Sequence, residues 1–169
     1  DSWVSNYVGH FLVEADRLGH YVPPEMLTDW INFQRLTAQS WSSGSESSPM
    51  DQAYRLYTLA LAGRPEVGAM NRLRESRALD NTALWQLAAA YSLAGLPNVA
   101  RDLARDADTE AQEYEDPGWS MGSRLRDLAI ILNSLVSLDM RAEARALAQE
   151  ISDELFLDKW HSTHAVSYA

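Results

Sequence analysis

Cysteine is absent from this chain of 169 residues, which excludes disulfides, thiolate metal sites and cysteine nucleophiles. No stretch of the sequence approaches the ~20 uninterrupted apolar residues that a membrane span needs. Basic residues are also few, with 14 Lys and Arg against 24 Asp and Glu. Because the net charge of −10 repels phosphate groups, we expect no nucleic-acid partner and no direct membrane contact.

The chain has the size and apolar content of one packed domain. Its hydrophobic share is 46%, with 6 tryptophans, and a domain of this length buries roughly 70% of its unfolded surface. Residue 1 is Asp1, no charged-then-apolar leader precedes Trp3, and residues 163–169 look like the first turns of a helix without a C-cap. We therefore expect residues 1–169 to be a single domain from a longer precursor, with flexible loops near 42–49 and 108–120.

Apolar residues recur at helical spacing along almost the whole sequence, and no run alternates with a period of two for long. Prolines at first-turn positions and glycines after the last turn mark several helix boundaries. The pattern predicts about eight helices in four hairpins and the start of a ninth. The first helix ends near Leu18, the second follows Pro23 and Pro24, and the others cover residues 51–62, 65–76, 81–94, 97–107, 123–138 and 141–155.

The two helices of each later hairpin differ in their apolar pattern. Residues 84–93 and 125–136 are apolar around nearly the whole helix, whereas 97–107 and 141–155 carry one narrow apolar stripe. A helix that is apolar all round is buried, and a helix with one stripe lies outside. We therefore predict an all-α fold with alternating inner and outer helices, either an α/α toroid or a superhelical solenoid. The uneven intervals between inner helices, roughly 47, 30 and 42 residues, favour the toroid.

The same periodicity predicts which side chains of the first two helices are buried. The first helix has a broad apolar face, and the second helix has a buried face. The members of these faces are Trp3, Val4, Tyr7, Val8, Phe11, Leu12 and Ala15, and then Met26, Leu27, Trp30, Ile31 and Leu36.

Two pairs of residues resemble parts of a metal site. His10 and Glu14 are four residues apart, and His161 and His164 are three apart, so each pair could share a helix face. A zinc site needs three or four ligands with a supporting shell. We therefore interpret both pairs as packing or surface residues.

Asp127, flanked by Arg124 and Arg126, is the carboxylate that stands out. It could be an acid or base at the rim of a ring, as in glycosidases, or a carboxylate that arginine holds near a helix N-terminus; we favour the second. Residues 116–119 (DPGW) could stack on a sugar but are typical of a turn. A phosphate-binding glycine loop and a nucleophile elbow are both absent. The sequence predicts no catalytic, cofactor-binding or metal-binding residue, and hence no enzyme and no cofactor.

Four stretches, in order along the chain, resemble the thioester domain of α2-macroglobulins and complement proteins. Residues 1–12 (DSWVSNYVGHFL) resemble the family's Ser/Thr-Trp-x-x-Ala/Ser-Tyr-Val helix, and residues 1–30 look like the bacterial branch. Residues 79–91 (LDNTALWQLAAAY) and 122–127 (GSRLRD) are similar to inner helices of that branch. Residues 160–165 (WHSTHA) resemble its aromatic-x-Ser-Thr-Gln-x stretch.

The resemblance implies a toroid of six hairpins inside a large bacterial envelope protein, periplasmic or on the cell surface. Such proteins look like protease traps, in which cleavage of a bait region triggers collapse around the protease. In many members a Cys-x-Glu-Gln stretch, upstream of the position of Trp3, forms a thioester that captures the protease covalently. This domain would be non-catalytic, with target proteases and other domains of the same chain as its partners.

Two positions depart from the family pattern. His164 stands where the family usually has Gln. In complement relatives, a histidine that assists acyl transfer lies in the segment after the family's second hairpin. That hairpin corresponds to the first one in this chain, and the segment after it, residues 42–49, holds no histidine. The resemblance therefore implies that an upstream thioester would react without histidine assistance.

A toroid closes by packing its last hairpins on its first. We expect residues 1–169 to form an incomplete ring, without the family's first hairpin upstream of Trp3 and without the end of the ninth helix. The apolar faces exposed in this way should lead either to a dimer or to a hydrophobic groove. Two other functions remain open. Residues 83–107 imitate one unit of a tetratricopeptide-like adaptor, and an α/α-toroid glycosidase or polyprenyl cyclase would need acids clustered on one rim or on the inner helices.

Overall fold

A computed structural model describes residues 2–45, 47–76, 79–111, 123–157 and 161–169. This part of the chain contains nine helices and no strand, as the apolar spacing predicts. The helices are α1 (Ser2–Arg17), α2 (Pro24–Ser40), α3 (Pro49–Leu61), α4 (Val67–Glu75), α5 (Asn81–Leu93), α6 (Pro97–Asp106), α7 (Arg124–Ser137), α8 (Arg141–Leu155) and α9 (Thr163–Val166).

Side chains in the first turn fix where several helices begin. The Ser48 hydroxyl accepts a hydrogen bond from the Asp51 N–H, and the Asp51 carboxylate accepts one from the Ser48 N–H. This reciprocal capping box satisfies two backbone groups that would otherwise lack partners. At the start of α5, the Asp80 carboxylate accepts a hydrogen bond from the Ala83 N–H at 2.7 Å. The loop predicted at 42–49 ends one residue early, because Pro49 is already the first residue of α3.

Four helices end in the same left-handed turn, the first of them α1, where Gly19 has a φ angle of 80°. Gly63 after α3 and Gly95 after α5 have φ angles of 70° and 76°, a conformation that glycine adopts without steric cost. Asp139 occupies the same place after α7 with φ 56°. These turns reverse the chain within a few residues, so that each inner helix is followed directly by an outer one.

The odd-numbered helices form an inner layer and the even-numbered helices an outer layer. Helices α1, α3, α5, α7 and α9 pack side by side in that order, and α2, α4, α6 and α8 each pack on the preceding inner helix. Beyond α9, Ser167 approaches the Tyr7 hydroxyl at 3.1 Å and Tyr168 approaches the Tyr54 hydroxyl at 2.9 Å. The residues that follow α9 therefore contact the first two inner helices, as in a toroid and not in an open solenoid, while α9 itself packs on α7.

Burial of the later hairpins follows the predicted pattern. Helices α5 and α7 are buried on nearly every side, and the outer helices α6 and α8 bury one stripe that includes Leu103, Leu147 and Ile151. The prediction is wrong for Leu93 and Val136, which are 41% and 64% exposed. Each lies in the last turn of its helix, where no described residue fully covers it.

The predicted burial of the first hairpin is wrong for five side chains. Val4, Val8 and Phe11 of α1 are exposed, as are Met26 and Leu36 of α2. Helix α2 instead buries a polar residue and a small one, Gln34 and Ala38. The reason is that α1 and α2 pack against each other and against α3, and their outer apolar faces have no neighbour among the described residues.

Candidate functional site

A cavity of about 270 Å³ lies at the centre of the inner layer. We call it the axial cavity. Every inner helix, or the turn that follows it, contributes to its wall, because each presents one or more side chains to the shared centre. The lining residues are Tyr7, His10 and Glu14 from α1, Tyr54 and Tyr57 from α3, Gln86 from α5, Ala129, Ile130 and Asn133 from α7, and Ser167 and Tyr168 after α9.

Aromatic rings pack against one another along one side of the axial cavity. The ring centroids of Tyr7 and Tyr168 are 5.6 Å apart. The His10 ring stands edge-on to Tyr54 and to Tyr57, at 5.7 and 5.6 Å. Such edge-to-face contacts place the positive edge of one ring against the negative face of the next. The wall is therefore both apolar and rich in hydroxyl groups.

Hydrogen bonds tie these hydroxyl groups together across the ring. The Tyr168 hydroxyl donates to the Tyr54 hydroxyl at 2.9 Å, and Tyr54 lies 3.0 Å from Nδ1 of His10. The Asn133 amide donates to the Tyr57 hydroxyl at 2.9 Å. The first and last of these bonds join positions 114 and 76 residues apart, so the network links helices that are distant in sequence.

Burial sets the protonation of the groups in this network. It lowers the pKa of His10 below its usual 6.5, against an opposing effect of Glu14 at 3.9 Å and in line with that of Arg17. Burial likewise raises the pKa of the Tyr54 and Tyr168 hydroxyls well above 10. At neutral pH the imidazole is therefore uncharged and the two phenols keep their protons.

One lining group has an unused hydrogen-bonding atom. Gln86 is 2% exposed, and its Oε1 has no hydrogen-bond partner among the described residues. A buried amide oxygen without a partner costs about 1–3 kcal/mol. Gln86 therefore places a buried acceptor without a partner beside the axial cavity.

Asp127, the carboxylate that the sequence singles out, lies in a buried ion pair at the start of α7. Its Oδ1 accepts from Nε and Nη2 of Arg126 at 2.7 and 2.5 Å. The Arg126 guanidinium also lies over the Trp3 ring, 4.5 Å from its centroid. Arg124 turns away and pairs with two glutamates of α8. Asp127 is 1% exposed, so this geometry joins α7 to α1 and leaves the carboxylate no access to solvent.

The two histidine pairs do not gather further ligands. Around His10 and Glu14, as elsewhere in the described ranges, no group of three or more His, Asp or Glu side chains could hold a metal ion. The Nε2 of His161 is buried without a partner in that same part of the chain. The side chain of His164 and residues 116–119 lie outside the described residues. No described helix has the length and apolar content to cross a membrane.

Sequence reasoning missed a second buried polar cluster, between α2 and α3. The Nε of Arg55 donates to Oε1 of Gln34 at 2.9 Å, and Nη1 of the same guanidinium donates to Gln52. Gln52 in turn donates to the Ala38 carbonyl at 3.1 Å. Burial lowers the pKa of Arg55. The sequence does contain a signal for this cluster: Gln52 and Arg55 are two long polar side chains, three residues apart, on the otherwise apolar helix α3.

The architecture defines the class: an all-α toroid of helical hairpins with an inner and an outer layer. Neither a protein-family model nor a curated protein matches the sequence. Solved structures do match, and they are bacterial α2-macroglobulins. Salmonella α2-macroglobulin reacted with methylamine has a TM-score of 0.81 with this chain at 25% identity. Native Escherichia coli α2-macroglobulin, from domain MG7 to the C-terminus, has a TM-score of 0.83 at 24% identity.

The E. coli protein activated by porcine elastase has a TM-score of 0.83 at 23% identity. Each of the three matches covers 99% of this chain. The chain spans much less of the solved proteins: 12% of the Salmonella chain and 28% and 16% of the two E. coli chains. It has the fold of one region of bacterial α2-macroglobulins, and the resemblance that its ordered motifs predict is confirmed.

Proposed function

We propose that this chain is the thioester-type toroid domain of a bacterial α2-macroglobulin-like protease trap. The observation that carries the proposal is the agreement of the fold with such proteins over 99% of the chain. The ordered motifs at residues 1–12, 79–91, 122–127 and 160–165 support it, because they lie in the same order as in the family.

The role that we propose for the domain is mechanical and not catalytic. The inner layer is closed by hydrogen bonds between distant segments, such as Tyr54 with Tyr168 and Tyr57 with Asn133. The one charged pair that resembles a catalytic site, Arg126 with Asp127, is buried. A ring braced in this way moves as a unit when cleavage elsewhere in the parent protein releases it.

Exposed apolar side chains of the first hairpin support a contact with another part of the parent chain. Val4, Val8 and Phe11 are spaced by four and three residues and share one face of α1. Exposed apolar patches mark interaction sites. We call the following set the first-hairpin apolar residues: Val4, Val8, Phe11, Met26, Phe33 and Leu36.

The partners and location follow from the same proposal. The elastase-activated form of the E. coli relative supports proteases as targets of the parent protein. A trap of this kind meets proteases in the periplasm or at the cell surface, so we propose that the parent is exported to the bacterial envelope. Its other domains are the direct neighbours of this one.

The test uses the parent protein that carries this domain, incubated with elastase. Residual cleavage is measured on a large protein substrate and on a small chromogenic peptide. Loss of cleavage of the large substrate with retention of cleavage of the peptide is expected, because a caged protease still admits small molecules. Equal activity on both substrates would refute trapping and favour the helical-repeat adaptor.

A pair of variants tests the interface within the parent. Leu36→Ser changes one first-hairpin apolar residue that is 68% exposed, and Val136→Ser changes a residue that is 64% exposed but lies at the end of α7. We expect only Leu36→Ser to weaken the protection of the large substrate. If both variants protect as well as the parent, the first-hairpin apolar residues do not form a functional interface, even where trapping itself stands.

A further inference from the structure

We propose that residues 161–169 form a closing segment whose attachment to the first two inner helices weakens in mild acid, with His10 as the sensor. This inference concerns the chain of 169 residues and does not depend on protease trapping. It arises from three features: the way the closing segment is attached, the direction of one chain of hydrogen bonds, and the burial of His10.

The closing segment is a short element at the end of the ring. Its helix α9 has four residues, too few to be stable without packing. Ala165 lies in the same apolar cluster as residues of α7. Beyond α9, Ser167 lies 3.1 Å from the Tyr7 hydroxyl, and the Tyr168 hydroxyl donates to Tyr54 at 2.9 Å. Short terminal elements open at a lower free energy than the core does, so we expect this segment to open while the other helices stay folded.

The hydrogen bonds between Tyr168 and His10 run in one direction. The Tyr168 hydroxyl donates to the Tyr54 oxygen, so the Tyr54 proton is left for Nδ1 of His10, 3.0 Å away. A neutral imidazole accepts at one ring nitrogen, whereas an imidazolium donates at both. After protonation of His10, Tyr54 has to accept from both of its neighbours, and its own buried proton loses its acceptor. Because a buried donor without an acceptor is unfavourable, protonation weakens the closed form.

Burial of His10 depends on the closing segment. His10 lines the axial cavity together with Ser167 and Tyr168, and burial lowers the pKa of the imidazole. When the closing segment leaves, water reaches that wall and the pKa returns towards its ordinary value of about 6.5. The open form therefore binds a proton more readily than the closed form does. A fall in pH below about 6.5 shifts the equilibrium towards opening.

The groups around His10 leave it as the side chain that changes charge in this range. On its own helix, Glu14 raises the pKa of His10 and Arg17 lowers it. From α3 it meets the rings of Tyr54 and Tyr57, whose pKa burial raises above 10. Helices α2 and α7 reach this part of α1 with side chains that do not titrate, namely Trp30, which packs on Gly9, and Asn133, which lines the axial cavity. Imidazole is the group that gains its charge between about pH 8 and 5.

A buried thiol in the closing segment measures its opening. Because the chain has no cysteine, Ala165→Cys places a single thiol at a position that is 2% exposed, and Ala100→Cys places one on α6 at a position that is 0% exposed. Each thiol is labelled with an aromatic disulfide reagent, dilute enough for closing to be faster than labelling. The labelling rate divided by that of the urea-unfolded chain at the same pH gives the opening constant.

The two thiols should behave differently. We expect Ala165→Cys to have the larger opening constant at every pH, because the closing segment opens without the core. That constant should rise about tenfold between about pH 7.5 and 5.5, the change that one proton bound near pH 6.5 gives. Equal opening constants for the two thiols, or a constant for Ala165→Cys that does not change with pH, would overturn the proposal.

Histidine variants of the Ala165→Cys chain identify the sensor. His10→Gln keeps an acceptor for Tyr54 but does not titrate, so it should abolish the rise in acid. The closing segment has two histidines of its own, and His161→Gln and His164→Gln are the matched controls, which should retain the rise. Its loss in either control, with retention in His10→Gln, would place the sensor in the closing segment and refute the role of His10.

Three further variants keep the test open if His10→Gln fails to fold. Tyr7→Phe removes the hydroxyl that meets Ser167, so it should raise the opening constant by the same factor at every pH. Glu14→Gln and Arg17→Gln remove opposite effects on His10. The opening constant should therefore stop rising at a lower pH in Glu14→Gln and at a higher pH in Arg17→Gln. Shifts in the same direction, or none, would exclude His10 as the sensor.

Discussion

Replacement of Gly9 by alanine tests how the first two helices are joined. A Cβ at Gly9 would lie less than 3.0 Å from three indole atoms of Trp30, closer than real Cβ atoms come. The indole cannot simply retreat, because its Nε1 donates to the Ser5 carbonyl at 2.9 Å. The substitution therefore forces either the ring or the whole of α2 away from α1.

The size of the effect follows from three contributions. Overpacking of this kind costs about 1–3 kcal/mol, and loss of the Trp30–Ser5 hydrogen bond costs about 1 kcal/mol. Alanine regains about 1 kcal/mol, because glycine is a poor residue inside a helix. We expect Gly9→Ala to lower the free energy of unfolding by about 2 kcal/mol.

Urea unfolding followed by circular dichroism measures this change, with Gly68→Ala in α4 as the control. No atom lies within 4 Å of a Cβ added at Gly68, so that variant should gain up to about 1 kcal/mol. In the Gly9→Ala background, Trp30→Leu should recover part of the loss, because the smaller side chain removes the clash. A Gly9→Ala chain as stable as the original would refute the close packing of α1 on α2.

Two further predictions concern pH. Burial lowers the pKa of His10 below 6.5 in the folded chain, so the unfolded chain binds the extra proton and stability falls as the pH drops below about 6.5 towards the folded value. Melting temperatures between about pH 5 and 8 should show this slope, and His10→Gln should flatten it; a variant with the full slope would contradict the assignment. Burial raises the pKa of Tyr54 and Tyr168, so the stability they contribute is present below about pH 10 and is lost as the pH rises beyond it. Tyrosinate absorbance should show these two phenols ionising only together with unfolding, and Tyr168→Phe should remove one of them; ionisation of all tyrosines before unfolding would refute their burial.

The helices and their division into two layers could be predicted from sequence because they depend on local rules. Proline and the capping side chains mark where helices begin, as Ser48 and Pro49 do for α3. Helices α5 and α7 are apolar on nearly all sides, and no environment other than the interior suits such a helix. The remaining choice between ring and solenoid depends on long-range contacts, which the uneven spacing of the inner helices suggested only indirectly.

The first hairpin shows why periodicity alone cannot predict burial. The spacing of Val4, Val8 and Phe11 correctly identifies an apolar face on α1. Whether another element covers that face depends on the packing of the whole chain, and here the described residues leave it exposed. The face of α2 that is buried contains Gln34, which a count of apolar residues passes over.

The axial cavity could not be found from the sequence for a related reason. A tyrosine contributes an apolar ring to a helix face and a hydroxyl group to whatever lies at its tip. Sequence reasoning counted Tyr7 as part of an apolar face, and its contact with Ser167 joins positions 160 residues apart. Only the closed ring brings such distant side chains to one place, and no local pattern marks them.

Ring closure also has a consequence for the order of events in folding. The two helices of a hairpin are joined by a short turn, so they meet at a low cost in chain entropy. The contacts of Tyr54 with Tyr168 and of Tyr7 with Ser167 close loops of more than a hundred residues, and such contacts form late. Side chains at the axis should therefore have φ-values near zero, so that their removal speeds unfolding and leaves the folding rate almost unchanged. The contacts at the centre of the toroid therefore set the rate of unfolding, and with it the lifetime of the closed ring.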